Sequence, residues 1–228
     1  MNQKVAVSVV FVAAMFMNVM DITIVNVAIP KIGSDLHVAQ TSVSAVSIGY
    51  LVSLAVVIPA SGWLGDRFGA KRILLLAIVI FTAASALCGF ATDFDQVVGF
   101  RVLQGIGGGM LTPVGLAMLY RVFPPEERVR ASSILIIPMA FAPALGPVVG
   151  GLLVTELSWR WVFFVNLPIG ALAFMFGALF VTEQKATVSR RFDLVGFILS
   201  GAGFASLMYG ISEGPERGWG DGDRKSHV

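Results

Sequence analysis

Seven apolar segments divide the sequence, and each is long enough to cross the hydrocarbon core of a membrane as a helix. Their approximate positions are 5–29, 41–60, 73–91, 96–120, 131–155, 159–181 and 194–211. Only 13% of the residues are charged, whereas a soluble domain carries about 25%. Because lipid cannot satisfy exposed backbone polar groups, these segments predict an all-α integral membrane protein with about seven transmembrane helices.

The positively charged residues lie mostly on one side of the predicted spans. With the N-terminus in the cytoplasm, the inner side holds Lys4, Arg67, Lys71, Arg72, Arg121, Arg128, Arg130, Lys185, Arg190 and Arg191. The outer loops between spans hold only Lys31 and Arg160. Because Lys and Arg near span ends resist translocation, we predict a multi-pass protein of the cytoplasmic (inner) membrane with a cytoplasmic N-terminus.

The connection between spans two and three is the tightest in the sequence and among the most densely charged. It reads Gly62-Trp-Leu-Gly65-Asp66-Arg67-Phe-Gly69-Ala-Lys71-Arg72. The three glycines remove side chains where two helices converge. Asp66 is placed to cap the following helix or to pair with arginine, and a carboxylate near a helix N-terminus also gains from the helix dipole. A basic hairpin alone would account for the cations but not for this order of residues.

Asp21 lies inside the first span, where a carboxylate at the bilayer centre costs about 2.5–3.5 kcal/mol. Arg101 is its expected partner, because the two residues lie at similar depth in the membrane. At a helical rise of 1.5 Å per residue, Arg101 lies about 9 Å from the outer face and Asp21 about 13 Å. A buried carboxylate that loses its cation takes up a proton, so the pair predicts a proton-coupling site. Two alternatives remain: a static ion pair, and an Arg101 side chain that extends outward to the interface.

Further polar side chains indicate a cavity near this pair. Asn18 and Asn26 lie in the first span. Gln104 and Gly108 follow Arg101 at i+3 and i+7, hence on the same helix face. We therefore predict that these two asparagines, the glutamine and the glycine line a substrate cavity.

Spans four and five are rich in glycine and proline. Span four contains Gly105 and Gly107–Gly109, and span five contains Gly146, Pro147, Gly150 and Gly151. Small residues let helices approach closely in lipid, and proline bends a helix. Close helix packing alone would explain these residues, and so would a bundle in which the helices move relative to one another.

Several classes of function are excluded by what the sequence lacks. Cys88 is the single cysteine, so no disulfide and no cysteine-based metal site is expected. Neither a spaced G-x-G-x-x-G nor a Walker lysine is present, and no Ser/His/Asp set can be assembled. We therefore expect no cofactor, no metal, no nucleic-acid partner, no enzymatic activity and no direct use of ATP. If Asp21 couples transport to protons, a proton gradient is the expected energy source.

Five ordered motifs resemble those of the major facilitator superfamily, and in particular its fourteen-helix drug/proton antiporters of the EmrB/QacA type. They are Gly62-x-Leu-Gly65-Asp66-Arg67-x-Gly69-x-Lys71-Arg72, Asp21-Ile-Thr-Ile-Val-Asn26-Val-Ala-Ile-Pro30, Arg101-x-x-Gln104-Gly105-x-Gly107-Gly108, Gly146-Pro147-x-x-Gly150-Gly151 and Ser158-Trp-Arg-Trp-Val-Phe-Phe-Val-Asn-Leu-Pro-Ile-Gly170. Phe192-Asp193-Leu-Val-Gly196 is similar to the start of that group's extra central helix. The resemblance covers about residues 8–220.

The resemblance implies a fold and a function. It implies an N-terminal six-helix bundle at 1–181, a cytoplasmic linker at 182–193, an extra transmembrane helix at 194–213 and a hydrophilic tail at 214–228. Asp21 becomes the expected proton site with Arg101 as its neighbour, the Asp66 stretch a lock on the cytoplasmic gate, and the Gly146 stretch an antiporter motif. The partners it implies are membrane lipid, protons and small amphiphilic or cationic compounds, which are expelled in exchange for protons.

Length is the main departure from the family pattern. Members have two six-helix halves around two extra helices, so part of the cavity and of the gate would come from a second half or another copy. We expect the tail to be a truncated or frame-shifted end, or else the native end of a half-sized protein. The alternatives to multidrug efflux are a non-transporting fragment or scaffold, and an exporter of a metabolite, peptide or siderophore.

Overall fold

The computed structural model describes residues 2–39, 42–183 and 192–217, and these residues form α-helices, short connections and one 3-10 turn. The helices are α1 (Gln3–Asp35), α2 (Ala45–Phe68), α3 (Ala70–Phe90), α4 (Phe94–Val122), α5 (Arg128–Glu156), α6 (Trp161–Phe164), α7 (Asn166–Phe180) and α8 (Leu194–Arg217). The 3-10 turn is Pro125–Glu127. The predicted all-α fold is confirmed.

Within the described residues, six helical stretches are long and apolar enough to cross a membrane. They are Gln3–Asp35, Ala45–Phe68, Ala70–Phe90, Phe94–Val122, Met139–Glu156 and Trp161–Phe180, the last comprising α6 and α7. The seventh predicted span corresponds to α8, whose apolar part, Leu194–Leu207, is shorter. The architecture is therefore six long spans and one shorter apolar helix.

Local sequence explains where α1 and α4 begin, but it did not predict where α1 ends. The Asn2 side chain accepts a hydrogen bond from the backbone N–H of Lys4 and so caps α1, and Asp93 caps α4 in the same way through the backbone N–H of Gln96. The sequence placed the end of the first span just before Pro30, but α1 continues to Asp35. Helices in membrane proteins tolerate such a proline because neighbouring groups satisfy the freed backbone carbonyl.

Helix α1 lies at the centre of the bundle and contacts α4, α5 and α7. Helix α4 also packs along α2 and α3, α7 packs against α3, and α8 packs against α2. Glycines bring these helices close. A Cβ atom on Gly107 would lie 2.6 Å from the backbone nitrogen of Phe81 in α3, and one on Gly109 would lie 2.6 Å from the backbone oxygen of Leu54 in α2. Backbones that approach this closely need small residues.

Two apolar clusters fill the bundle, one toward each end of α1. The first contains Phe11, Met17 and Phe81, and the second contains Ile24 and Trp159. On α1 the clusters meet between residues 17 and 24, which is where Asp21 lies. The polar site is therefore enclosed by apolar side chains at both ends.

The predicted domain boundaries remain predictions. Most of the linker, residues 184–191, and the end of the tail, residues 218–228, lie outside the described part of the chain.

Candidate functional site

Asp21 and Arg101 form an ion pair inside the bundle. Helix α1 brings the carboxylate and α4 brings the guanidinium, and the Arg101 Nη1 to Asp21 Oδ2 distance is 2.5 Å. The side chain of Asp21 is 0% exposed and that of Arg101 is 1% exposed. Arg101 thus points inward and does not extend to the membrane interface.

Two amide side chains hold the other oxygen of the Asp21 carboxylate. The Nε2 of Gln104 and the Nδ2 of Asn166 each donate a hydrogen bond to Asp21 Oδ1 at 2.9 Å. Arg101 Nη1 also donates to Gln104 Oε1 at 2.8 Å. The carboxylate therefore has one cation and two amide donors as partners, which is how a buried charge is made tolerable.

Aromatic rings and a backbone oxygen surround the Arg101 guanidinium. Its central carbon lies 4.1 Å from the ring centroid of Tyr50 and 5.9 Å from that of Phe163. Its Nε donates to the backbone oxygen of Val46 at 3.4 Å. A ring face attracts a cation most strongly where water is excluded, so Tyr50 adds to the stabilisation of this charge.

The predicted cavity residues separate into two groups. Asn18 is buried and accepts a hydrogen bond from the Tyr50 hydroxyl. Gly108 lies beside both, since a Cβ atom there would be 2.9 Å from the Tyr50 hydroxyl oxygen and 3.1 Å from Asn18 Oδ1. Asn26 is exposed and accepts a hydrogen bond from Ser47 at 3.0 Å, so it does not join the cluster around Asp21.

On the α2–α3 connection, Asp66 pairs with an arginine outside its own stretch. Its Oδ1 atom lies 2.5 Å from Nη2 of Arg121, near the end of α4. Gly65 is buried with its Cα facing the Val114 side chain of α4. The exposed residues of this part of the stretch are Gly62, Arg67 and Phe68. The aspartate and the glycine therefore both link the end of α2 to α4.

The second part of the same stretch contacts the end of α7. Gly69 has a φ of +102°, a backbone conformation that favours glycine, and it allows α3 to start directly after α2. Glu183 accepts a hydrogen bond from the Lys71 backbone N–H at 3.1 Å and lies 3.7 Å from Arg72 Nε. The Lys71 side chain donates to the backbone oxygen of Ala178 at 2.9 Å. The start of α3 is thus capped by Glu183, not by Asp66.

The predicted antiporter motif lies where α5 crosses α1, close to Asp21. A Cβ atom on Gly146 would be 2.7 Å from Cβ of Thr23, and one on Gly150 would be 3.0 Å from Cγ1 of Ile24. The other two motif residues, Pro147 and Gly151, lie outside this contact. Gly146 and Gly150 therefore permit the close approach of the two helices, as small residues do in membranes.

Sequence reasoning missed several residues of the site. Asn166 and Ser85 were given no role, although the amide of Asn166 donates to the Ser85 hydroxyl oxygen at 3.1 Å as well as to Asp21. Tyr50, Arg121 and Glu183 were also missed as partners. The sequence did contain a signal for Asn166, because a polar residue inside an apolar span, like Asp21, is expected to face a partner or a cavity.

No group of three or more His, Cys, Asp or Glu side chains that could hold a metal ion occurs in the described parts of the chain.

Comparison with known proteins gives matches over most of the chain. A family model described as Major Facilitator Superfamily matches residues 11–194. The "Multidrug resistance protein B homolog" of Mycobacterium tuberculosis is 39% identical over 209 residues, which is 92% of this chain and 39% of that protein. The "Putative multidrug resistance protein MdtD" of Klebsiella pneumoniae is 41% identical over 192 residues, 84% of this chain and 41% of that protein. The chain thus spans about two fifths of the length of these curated relatives.

Proposed function

Because the chain belongs to the major facilitator superfamily, a family of membrane transporters and not of enzymes, we propose that it forms the N-terminal portion of a proton-coupled multidrug exporter. The proposed substrates are amphiphilic or cationic compounds, and the proposed membrane is the cytoplasmic one with the N-terminus inside. The similarity to two multidrug resistance proteins supports drugs as the class of substrate. The buried pair of Asp21 and Arg101 supports the coupling to protons and carries the proposal.

The proposed coupling is an exchange of partners at one carboxylate. In the arrangement described, Arg101 lies 2.5 Å from the carboxyl group of Asp21. Movement of α4 relative to α1 would separate the two groups and leave a carboxylate among apolar side chains, where the neutral form is favoured. Asp21 would then take up a proton, and re-forming the pair would release it. The direction of the proton gradient would set the direction of the cycle.

The α2–α3 connection is proposed to hold the cytoplasmic side in one of its two arrangements. Asp66 binds Arg121 of α4, and the start of α3 binds the end of α7 through Glu183 and Lys71. These contacts are exposed or half-exposed, so each contributes at most about 1 kcal/mol. Contacts this weak can form and break in every cycle.

The test is dye efflux from proteoliposomes that contain the chain, driven by an imposed proton gradient. The variants are Asp21→Asn and, as a matched control, Asp35→Asn. Asp35 lies on the same helix but is exposed and paired with Lys31 at 3.0 Å. We expect gradient-driven efflux from the intact chain and from Asp35→Asn, and none from Asp21→Asn. If the chain alone moves no dye, the same comparison is made with the remaining part of the M. tuberculosis relative co-expressed. Efflux that survives Asp21→Asn contradicts the proposal.

A further inference from the structure

The side chain of Asn166 has an unpartnered polar atom beside the proposed proton site. The residue is 0% exposed, and its Nδ2 uses both hydrogens, one toward Asp21 and one toward Ser85. Its Oδ1 has no hydrogen-bond partner among the described residues. A buried carbonyl oxygen without a partner lowers stability.

A protonated Asp21 would supply the missing partner. Its carboxyl group would carry an O–H donor that needs an acceptor inside the protein. Arg101 has donors only, and Gln104 Oε1 already accepts from Arg101 at 2.8 Å. Among the side chains that contact Asp21 in the described part of the chain, Asn166 is the one with an unused acceptor.

We propose that Asn166 is a second proton-site residue, which donates to the charged Asp21 and, after its amide turns by half a turn, accepts from the protonated Asp21. The turn exchanges Nδ2 and Oδ1: the oxygen then faces both Asp21 and Ser85, and the nitrogen takes the position in which the oxygen now has no partner. The Ser85 hydroxyl, which now donates to the backbone oxygen of Phe163 at 2.9 Å, can rotate to donate to that oxygen as well. The inference rests on the proposed function, since it needs Asp21 to take up a proton.

The position of Asn166 connects this event to a helix other than α1 and α4. It is the first residue of α7, directly after the break that separates α6 from α7 at Val165. The other titratable groups close to Asp21 are Arg101 on α4, Tyr50 on α2 and Cys88 on α3. Helices α6 and α7 contain no titratable residue, and those of α5 lie at its two ends. Helix α7 has no titratable group near Asp21, but it contacts the carboxylate directly through the side chain of Asn166.

The test is infrared difference spectroscopy of the full chain in lipid, titrated with pH. The carbonyl stretch of the protonated Asp21 is identified as the band that Asp21→Asn removes. The variant Asn166→Leu fills the same space without a donor or an acceptor. Its matched control is Thr82→Val, because Thr82 lies at the α3–α7 contact against Gly170 and its hydroxyl has no partner among the described residues.

We expect Asn166→Leu to shift the frequency of the band and to move its midpoint upward by about one pH unit. The sign follows because the variant loses a charge-assisted bond to the carboxylate and only a neutral bond to the acid, so the acid form is favoured about tenfold. Thr82→Val should change neither frequency nor midpoint. If Asn166→Leu does not fold, Asn166→Ser, which leaves room for water, should also raise the midpoint.

Two results would overturn the inference. The first contradicts only the role of Asn166, and the second also contradicts the proposed proton coupling at Asp21. A titrating band that is the same in the folded Asn166 variants as in the intact chain eliminates the role of Asn166 and leaves the proton site at Asp21. A spectrum in which Asp21→Asn removes no titrating band eliminates both this role and the proton coupling proposed above.

Discussion

The substitution Arg101→Met gives the most direct measure of what holds the site together. It removes the cation that lies 2.5 Å from Asp21 but leaves the donors from Gln104 and Asn166 in place. Breaking a buried ion pair from one side costs about 3–5 kcal/mol, because the remaining charge is uncompensated. The stacking of the guanidinium on the Tyr50 ring adds about 1–2 kcal/mol to the loss. Together these losses predict that Arg101→Met lowers the free energy of unfolding by about 4–7 kcal/mol.

The double variant Asp21→Asn/Arg101→Met separates these contributions. Both charges are absent, and the asparagine oxygen can still accept a hydrogen bond from Gln104. We expect the double variant to lose only about 1–2 kcal/mol, mainly the ring contact, which is about 3–5 kcal/mol less than Arg101→Met loses. With Asp21→Asn as the second single variant, the double-mutant cycle should therefore give a coupling energy of at least about 3 kcal/mol.

The measurement is equilibrium unfolding of the chain and its variants in lipid bicelles. Arg72→Met is the matched control, because the Arg72 side chain is 75% exposed and its distance to Glu183 is 3.7 Å, so the loss should be below about 1 kcal/mol. A coupling energy near zero, or a loss for Arg101→Met no greater than for Arg72→Met, would show that the pair does not stabilise the bundle.

Three further substitutions test the close helix contact at Gly107, the backbone conformation at Gly69 and the buried hydrogen bond of Tyr50. Gly107→Ala should separate α3 from α4 and lower the midpoint of thermal unfolding by several degrees, because the new Cβ would lie 2.6 Å from the backbone nitrogen of Phe81. Gly69→Ala should cost about 1–2 kcal/mol in bicelle unfolding, because φ is +102° there and alanine avoids that region. Tyr50→Phe should cost about 1–3 kcal/mol, because it leaves the buried Asn18 oxygen without the hydroxyl donor.

Matched controls exist for the glycine substitutions. Cβ atoms on Gly62 and Gly99 would meet nothing within 4 Å in the described structure. Alanine at either position should therefore leave the midpoint unchanged or raise it slightly. Equal losses for Gly107→Ala and Gly99→Ala would mean that the α3–α4 contact is looser than the structure indicates. A Tyr50→Phe variant as stable as the intact chain would mean that Asn18 finds another donor.

The approximate limits of the six long spans were predictable from hydropathy, because the thickness of the bilayer sets how many apolar residues a helix needs. The seventh predicted span is a shorter apolar helix, Leu194–Leu207. The close contact of Asp21 and Arg101 was also predictable. Two opposite charges at similar depth in an apolar protein have few other ways to be compensated. The helix ends were less predictable. The first span continues past Pro30, and the sixth is broken at Val165.

The sequence by itself determined that the chain crosses a membrane, which of its side chains are too polar for that environment, and where glycine makes close packing possible. Only the tertiary structure decided which helix faces meet. It gave Asp21 its third partner in Asn166, separated Asn26 from the cluster, and assigned Asp66 to Arg121 and the cap of α3 to Glu183. The physical reason is that burial of polar groups is a property of each segment in lipid, whereas a hydrogen bond needs two groups within about 3 Å. That distance depends on how α1, α4 and α7 pack together, and no single segment specifies it.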